Sequence, residues 1–470
     1  MQKIYFIIIV ILGSFNTMLQ GQDDALKSVL TYGDFITIVK NNHPIAQRAR
    51  LLRPKGEQII RSAKGGFDPQ LYTYFDQKEF DKKSYFRNLS AGVKVPTNFG
   101  AEFKAGYDNN QGIYINNENT VPTAGLVYAG VSMPLLQGLL IDERRATLRQ
   151  AEIFASMTDI ERRKLLNDLV FEGTMAYWEW VAMGNELQTY QQAIELARLR
   201  LNGLRITFQQ GDKAAIDTLE AFIQLQDRQI TYSKAFVKFQ KTTLELTNFL
   251  WDENGQPLQL QPNVVTPQVS LFKSPKGTID SLANFIGDLP SVHPDLLLYD
   301  LKIKNLDVER RWKKEKLKPK LNINYNFLAE PLGGENGADL SINNFKWGLE
   351  FAMPIPMRTA RAELQLNDIK RQETLLKRSQ KELELSNKAL YYNSQIENLK
   401  DQIRLSEANI GNYKTLLNAE RRKFDMGESS LFVVNSRENK LINAQLKLIE
   451  LKAKLQTSII ALDWSLGRLE

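Results

Sequence analysis

The sequence of 470 residues predicts a mainly α-helical protein with a smaller β part, in which one structural unit occurs twice. Three observations support this fold class. Apolar residues recur every seven positions over the last quarter of the chain, the same pattern occurs earlier in the chain, and each half contains segments in which apolar and polar residues alternate. A seven-residue spacing is typical of coiled-coil helices, whereas alternation is typical of strands with one apolar face.

The N-terminus has the pattern of a secretory signal peptide over residues 1–21. Lys3 is its one basic residue, and the apolar run from Ile4 to Leu12 is followed by small and polar residues. This run is too short to span a bilayer as a helix, so we expect cleavage near Gly21 or Gln22 and export of the mature chain. The sequence contains no cysteine, which excludes disulfide bonds and lipid attachment at the new N-terminus.

Short helices open each half, and strands follow them. In the second half, strands are predicted within residues 319–353. Apolar residues alternate with asparagines from Leu321 to Phe327, and a second alternating strand follows the polar loop from Glu330 to Asn344. We expect the apolar side chains of this second strand to face lipid; they are Phe345, Trp347, Leu349 and Phe351.

A half-buried sheet in a soluble protein would show the same alternation. Two observations favour strands of an outer-membrane barrel instead. The apolar face is rich in aromatic residues, and the segments approach the length of roughly ten residues that a tilted strand needs to cross the membrane. The export signal supports the same interpretation.

The first half has the same layout with one additional element. Strands are predicted over residues 69–80 and 125–133, and a hairpin between them over residues 90–95 and 99–107. The sequence leaves open whether this hairpin extends a barrel wall or lies outside it.

One chain cannot close a membrane barrel by itself. Two strands from each half make four, and even the additional hairpin raises the number to about six, below the roughly eight strands of the smallest membrane barrels. Unpaired strand edges are not tolerated in hydrocarbon. We therefore expect several copies to share one barrel, and three copies with four strands each make twelve strands.

Two long antiparallel helical hairpins complete the halves, over residues 138–252 and 358–466. Gly211 in the first turn and Gly427 in the second each follow a phenylalanine by three residues and precede an acidic residue. Glycine commonly ends a helix in this way, and the matched turns indicate an internal duplication. The predicted organisation is a signal peptide over 1–21, a first repeat over 22–252, a linker over 253–277 and a second repeat over 278–470.

Several function classes are excluded by composition. The net charge of +7 is spread along the helices, without the basic and aromatic cluster typical of nucleic-acid binding. Two histidines in the whole chain exclude histidine-based triads and multi-histidine metal sites. No set of nucleophile, base and orienting residue stands out, and no phosphate-binding glycine loop is present, so we expect neither an enzyme nor a cofactor.

The duplicated plan resembles the TolC-type outer-membrane efflux proteins over nearly the whole mature chain. The signal peptide, the Met-Pro-Leu-Leu-Gln-Gly segment from Met133 to Gly138, and the Phe-x-x-Gly turns at Phe208 and Phe424 support this resemblance. It implies a homotrimer with a twelve-stranded barrel in outer-membrane lipid and a periplasmic α-barrel of long helices. The tip of that α-barrel meets a periplasmic adaptor and, through it, an inner-membrane transporter.

The resemblance implies a passive duct that expels small molecules such as drugs or toxic compounds. A channel for type I protein secretion has the same architecture and remains an alternative. A structural coiled-coil protein of the cell envelope would explain the seven-residue spacing but not the recurring strand pairs.

The resemblance also implies a constriction built by acidic residues just after the turn glycines. Asp217 and Glu220 match this position in the first half and lie one helical turn apart. The corresponding residues of the second half are Val433 and Ser436. The alternative is that both acids are solvated side chains near a helix N-terminus, where the helix dipole favours them.

The turns themselves are where the resemblance implies contact with the adaptor. The glycines also have a purely structural explanation, because a helix commonly ends at a glycine. The candidate contact residues are Arg205, Gly211, Asp212, Arg421, Gly427 and Glu428.

Overall fold

The computed structural model describes residues 29–260, 266–268, 282–331 and 342–469. The predicted signal peptide, most of the predicted linker and most of the loop between the last two strands lie outside the described residues. The helices and strands are, in order, α1 Tyr32–Asn42, α2 Pro44–Lys64, β1 Gln70–Phe80, β2 Lys83–Pro96, β3 Glu102–Gln111, β4 Leu126–Pro134, α3 Glu143–Gln209, α4 Ala215–Thr247, α5 Leu282–Val292, α6 Pro294–Glu315, β5 Lys320–Ala329, β6 Phe345–Ala352, α7 Arg358–Asp425 and α8 Leu431–Ser465.

The predicted fold class is confirmed: the chain is mainly helical and carries one antiparallel sheet. The order of elements repeats, with two short helices, strands and a long helical hairpin in each half. The long helices α3 and α7 have 67 and 68 residues. Among the described helices, none combines the length and the apolar character needed to cross a membrane.

The chain folds into two compact units. The first contains the described residues within 29–49, 164–289 and 384–469, and the second consists of Arg50–Arg163 and Pro290–Leu383. Each unit therefore draws residues from both predicted repeats.

Aromatic side chains form the core of the first unit where α1 packs against α3 and α4. The Tyr177 ring stacks on Phe35 with ring centroids 5.2 Å apart, and Trp180 beside it is fully buried. The Tyr177 hydroxyl donates to the Leu30 carbonyl at 3.0 Å, and Trp180 Nε1 donates to Thr243 Oγ1 at 3.2 Å. The polar atoms of both buried rings are thus satisfied, as their burial requires.

The two histidines precede equivalent helices, one in each half of the chain. Each precedes a proline at the first helical position, where a missing N–H costs nothing. His43 Nδ1 accepts from the Ile45 N–H and His293 Nδ1 accepts from the Asp295 N–H, both at 3.1 Å. Both histidines thus cap the start of a helix.

Ion pairs align α6 with α7 in the second unit. Asp300 pairs with Arg378 at 2.6 Å, and Asp307 pairs with Arg371 at 2.7 Å. Partners later along α6 lie earlier along α7, as antiparallel helices require. Partly exposed pairs of this kind contribute little stability each, so their main effect is on register.

The six strands in the described part of the chain form one sheet in the order of the sequence, each antiparallel to its neighbours. The hairpin that the sequence left unplaced is β2 and β3, and it lies inside the sheet between β1 and β4. The two halves meet where β4 pairs with β5, for example at Val131 and Tyr325. The estimate of twelve strands counted four strands in each chain, whereas the described sheet has six.

Strand register separates an apolar face from a polar face. One line of partners across the sheet consists of Leu71, Val93, Ala105, Ala129, Phe327 and Phe345. The next line on the opposite face includes Lys94, Lys104, Asn326 and Lys346. The four predicted lipid-facing residues of β6 lie on the apolar face with exposed fractions from 49% at Phe345 to 63% at Phe351. Their contact with lipid stays a prediction.

Candidate functional site at the helical turns

The turns between α3 and α4 and between α7 and α8 have the same backbone geometry. They span residues 210–214 and 426–430 and are called the tip turns below. The Gly211 N–H donates to the Phe208 carbonyl at 3.0 Å, and the N–H of the next residue reaches five residues back. Gly427 donates to the Phe424 carbonyl at 3.1 Å, and its successor again reaches five residues back. The N–H groups of each turn thus donate to carbonyls of the last helical turn that have no partner within the helix.

Both turns need glycine for the same reason. Gly211 has φ of 83° and Gly427 has φ of 80°. Side chains with a Cβ rarely adopt this left-handed region. A Cβ built on either glycine would meet no atom within 4 Å, so backbone conformation rather than space imposes the choice.

Most of the predicted adaptor-contact residues are exposed around these turns. Arg421 differs from the others, because its side chain is only 39% exposed and its guanidinium is bound to a buried carboxylate. The exposed candidates are Arg205, Gly211, Asp212, Gly427 and Glu428.

The two predicted constriction residues are half-buried near the N-terminus of α4. Asp217 lies in the first helical turn, where the helix dipole favours a negative charge. Glu220 Oε1 accepts from Asn435 Nδ2 on α8 at 3.1 Å. The structure thus connects Glu220 to the second hairpin. That either carboxylate lines a pore stays a prediction.

A buried charge network lies next to Glu220, centred on the Glu438 carboxylate of α8. Arg200 of α3 binds it through both terminal nitrogens, at 2.9 Å to each carboxylate oxygen. Arg228 of α4 donates to Glu438 Oε2, and Arg421 of α7 donates to Oε1 at 2.8 Å. One carboxylate therefore joins four helices. We call Glu438 and these three arginines the Glu438 network.

The network is nearly sealed from solvent. The Glu438 side chain is 3% exposed and that of Arg228 is 5% exposed. Burial alone would raise the pKa of Glu438, but the hydrogen bonds and charges of Arg200 and Arg228 outweigh it and lower the pKa from 4.5 to about 2. The carboxylate is thus ionised at every physiological pH. Arg200 also donates to Asn435 Oδ1 at 2.9 Å, which connects the network to Glu220.

Apolar packing supports the network on the side of the tip turns. Leu201, Leu225 and Leu431 are buried together there, one from each of α3, α4 and α8. The Lys213 ammonium of the first tip turn lies 4.2 Å from the centre of the Phe424 ring, near the second tip turn. The two hairpins therefore contact each other through both charged and apolar side chains.

Glu438 is not among the site residues predicted from the sequence, although its position in the helix carries one signal. On α8, Leu431, Val434 and Glu438 are buried at a spacing of three and then four residues, the spacing that marks a coiled-coil core. A glutamate at such a position needs partners of opposite charge. The network is not repeated: the positions 216 residues away from Glu438 and Arg228 are Phe222 and Ala444.

Comparisons with known proteins confirm the predicted resemblance. Residues 291–468 match the family described as outer membrane efflux protein. No curated protein matches the chain by sequence. The family match covers residues 291–468, whereas the similarity of structure covers 93% of the chain.

Several solved outer-membrane channels share the fold at low sequence identity. The CmeC outer membrane channel of Campylobacter jejuni is 14% identical, with a TM-score of 0.63 over 93% of this chain and 85% of that chain. The outer membrane protein VceC of Vibrio cholerae is 12% identical, with a TM-score of 0.65 over 93% and 95% of the two chains. The MtrE channel of Neisseria gonorrhoeae, in its open state, is 13% identical, with a TM-score of 0.65 over 93% and 89%.

Replacement of Glu438 by glutamine should destabilise the helical hairpins, because three arginines would lose the charge that compensates them. Removing one partner of a buried ion pair costs about 3 kcal/mol or more. Because the pKa of Glu438 is lowered in the folded chain, its stabilisation is complete above the unfolded value of 4.5 and is lost as the pH falls towards about 2. The difference in thermal midpoint between the wild type and Glu438→Gln should therefore shrink over that interval.

Circular dichroism at 222 nm on detergent-extracted protein would measure these midpoints, at about pH 6 and again at about pH 2.5. Glu428→Gln is the matched control, since Glu428 is an exposed glutamate of the adjacent tip turn. Equal midpoints for Glu438→Gln and wild type at the higher pH would show that the network does not stabilise the chain.

Proposed function

We propose that three copies of this chain form a passive channel in the outer membrane that extends into the periplasm. The channel would act with a periplasmic adaptor and an inner-membrane transporter to expel small molecules such as drugs or toxic compounds. The observation that supports this most directly is the sheet, which has an exposed apolar face, a polar face and two edges without a described partner strand.

Such a sheet suits a membrane wall shared between chains. Its exposed face carries the aromatic residues Phe345, Trp347 and Phe351, which lipid would cover. Its edges are β1 and β6, and unpaired backbone groups at an edge are too costly in hydrocarbon to leave open. Six strands are fewer than the roughly eight of the smallest closed barrel, so copies of the chain must complete it.

A passive duct needs energy from another protein. The match to outer membrane efflux proteins and the shared fold with channels such as CmeC and MtrE support a place in an export assembly driven from the inner membrane. The exposed residues of the tip turns are our candidates for contact with the adaptor. Three copies would also bring three Asp217 carboxylates together and so favour cations locally.

The first test of this proposal is the oligomeric mass of the mature chain. We expect three times the mass of one chain when light scattering is measured on protein extracted from outer membranes in mild detergent, after subtraction of the detergent. A monomer, or recovery only in the soluble fraction, would contradict the shared barrel.

Replacement of Asp217 by alanine should lower the cation selectivity of single channels in planar bilayers, because the three carboxylates would be lost from the constriction. Asp425→Ala is the control, since Asp425 is an exposed aspartate at the end of α7. Unchanged conductance and selectivity in Asp217→Ala would count against a constriction at this residue.

Replacement of Gly427 by phenylalanine should abolish efflux while the trimer is retained. The positive φ adds a local cost of about 1 kcal/mol, which is too small to unfold the chain, whereas the bulky side chain would occupy the surface of the tip turn. Dye accumulation in cells that carry the chain, its adaptor and its transporter would measure efflux.

Gly255→Phe is a matched control for this substitution. Gly255 also has a positive φ, of 76°, and no atom within 4 Å of a built Cβ, but it lies outside the tip turns. Loss of the trimer in Gly427→Phe would mean that the glycine has a structural role only. Normal efflux in this variant would exclude the second tip turn as an adaptor contact.

A further inference from the structure

We propose that the hairpin β2–β3 is part of the barrel wall, so that three copies of six strands close a barrel of eighteen. In this barrel β1 of one copy pairs with β6 of the next. The inference rests on the proposed trimer and specifies the interface through which the copies join. The partner of each sheet edge is thus a second copy of this chain.

Continuous pairing on both sides holds the hairpin in the sheet. β2 pairs with β1 from Gln70 and Lys94 onward, and β3 pairs with β4 from Glu102 to Asp108. Folding the hairpin out of the wall would break both ladders, and β1 and β4 would then have to form a new pairing with each other, because hydrocarbon does not tolerate unpaired edges.

The hairpin also has the two faces of a membrane strand pair. Val93, Val95, Phe103 and Ala105 lie on the apolar face, in line with the apolar residues of β4, β5 and β6. On the polar face, Ser90 Oγ donates to Asp108 Oδ1 across the hairpin at 2.6 Å. A hairpin outside the wall would have no reason to match the faces of the other strands.

A line of four residues connects β1 to β4 across the hairpin on the polar face. Tyr72, Gly92, Gly106 and Tyr128 are successive partners on β1, β2, β3 and β4, and the two tyrosine hydroxyls hydrogen-bond to each other. A Cβ at Gly92 would lie 2.8 Å from the Tyr72 hydroxyl, and one at Gly106 would lie 2.6 Å from the Tyr128 hydroxyl. The two glycines therefore leave space for the hydrogen bond between Tyr72 and Tyr128. This bond passes over β2 and β3, so both strands of the hairpin lie in the sheet when it forms.

The two free edges are suited to each other. Because the sheet has an even number of antiparallel strands, β1 and β6 run in opposite directions, and their pairing between copies would continue the same antiparallel pattern. The strands are also staggered. Successive partners across the sheet lead from Gln70, at the start of β1, to Lys346, near the start of β6. Because β6 runs opposite to β1, the start of β6 lies towards the other end of the sheet. Such stagger accompanies the strand tilt of closed barrels.

An eighteen-stranded wall has a wider lumen than a twelve-stranded one. Barrel diameter grows roughly in proportion to strand number, so the wall would be about 1.5 times as wide. The polar face of the sheet would line this lumen, including Lys94, Lys104 and Lys346. The strand region of this channel would then admit larger solutes than a twelve-stranded barrel.

Cysteine cross-linking between copies would test the strand count directly, because the chain has no cysteine of its own. Gly348→Cys on β6 is combined with Tyr74→Cys or Asp76→Cys on β1, all on the polar face. After a short bis-maleimide reagent is added to membranes, we expect covalent dimers and trimers on a denaturing gel. The single variants give the background.

The matched control combines Gly348→Cys with Lys104→Cys or Asp108→Cys on β3, which would be the edge strand if β1 and β2 lay outside a wall of four strands per chain. We expect no cross-linked product above background for these pairs. Products from the β3 pairs instead of the β1 pairs, with trimeric mass retained, would overturn the eighteen-stranded barrel and leave the trimer intact. Trimeric mass with no product from either set would also overturn it, and monomeric mass would overturn the proposed function itself. Glu102→Cys with Ser132→Cys, partners on β3 and β4, should cross-link within one chain; loss of this product while the β1 product forms would mean that β1 pairs with β4 directly and would overturn the eighteen-stranded barrel.

Discussion

The rest of this structure depends on the requirement that every backbone N–H and C=O in hydrocarbon has a partner. Six antiparallel strands satisfy this requirement internally, except at the outer edges of β1 and β6. The sheet is too narrow to close on itself, so the requirement can be met only between chains. In the proposed trimer, barrel width and lumen size follow from how these two edges pair.

The internal duplication explains the helices better than it explains the sheet. Both halves end in a long helical hairpin with the same glycine turn and the same pattern of backbone hydrogen bonds. The strands are unequal, because the first half supplies four and the second supplies two. They nevertheless merge into one sheet through β4 and β5, since an additional up-and-down hairpin changes neither strand direction nor the face on which apolar residues lie.

The Glu438 network is the clearest departure from the duplication. Its arginines come from three helices that are repeated, yet Phe222 and Ala444 stand at the positions related to Glu438 and Arg228. A single carboxylate can compensate charges from both hairpins only because the four helices meet at one level near the tip turns. Each glycine turn joins the two helices of one hairpin, whereas the Glu438 network joins the two hairpins to each other.

The sequence by itself determined the local elements: the strand alternation, the heptad helices and the two glycine turns. Each of these depends on the periodicity or backbone preference of neighbouring residues. The tertiary structure decided the place of the β2–β3 hairpin and the partners of Glu438. Arg200 and Glu438 are 238 residues apart, and Gly92 and Gly106 pair only once the strands are aligned. The position of the hairpin and the partners of Glu438 depend on which distant elements come into contact. The periodicity of neighbouring residues contains no information about such contacts.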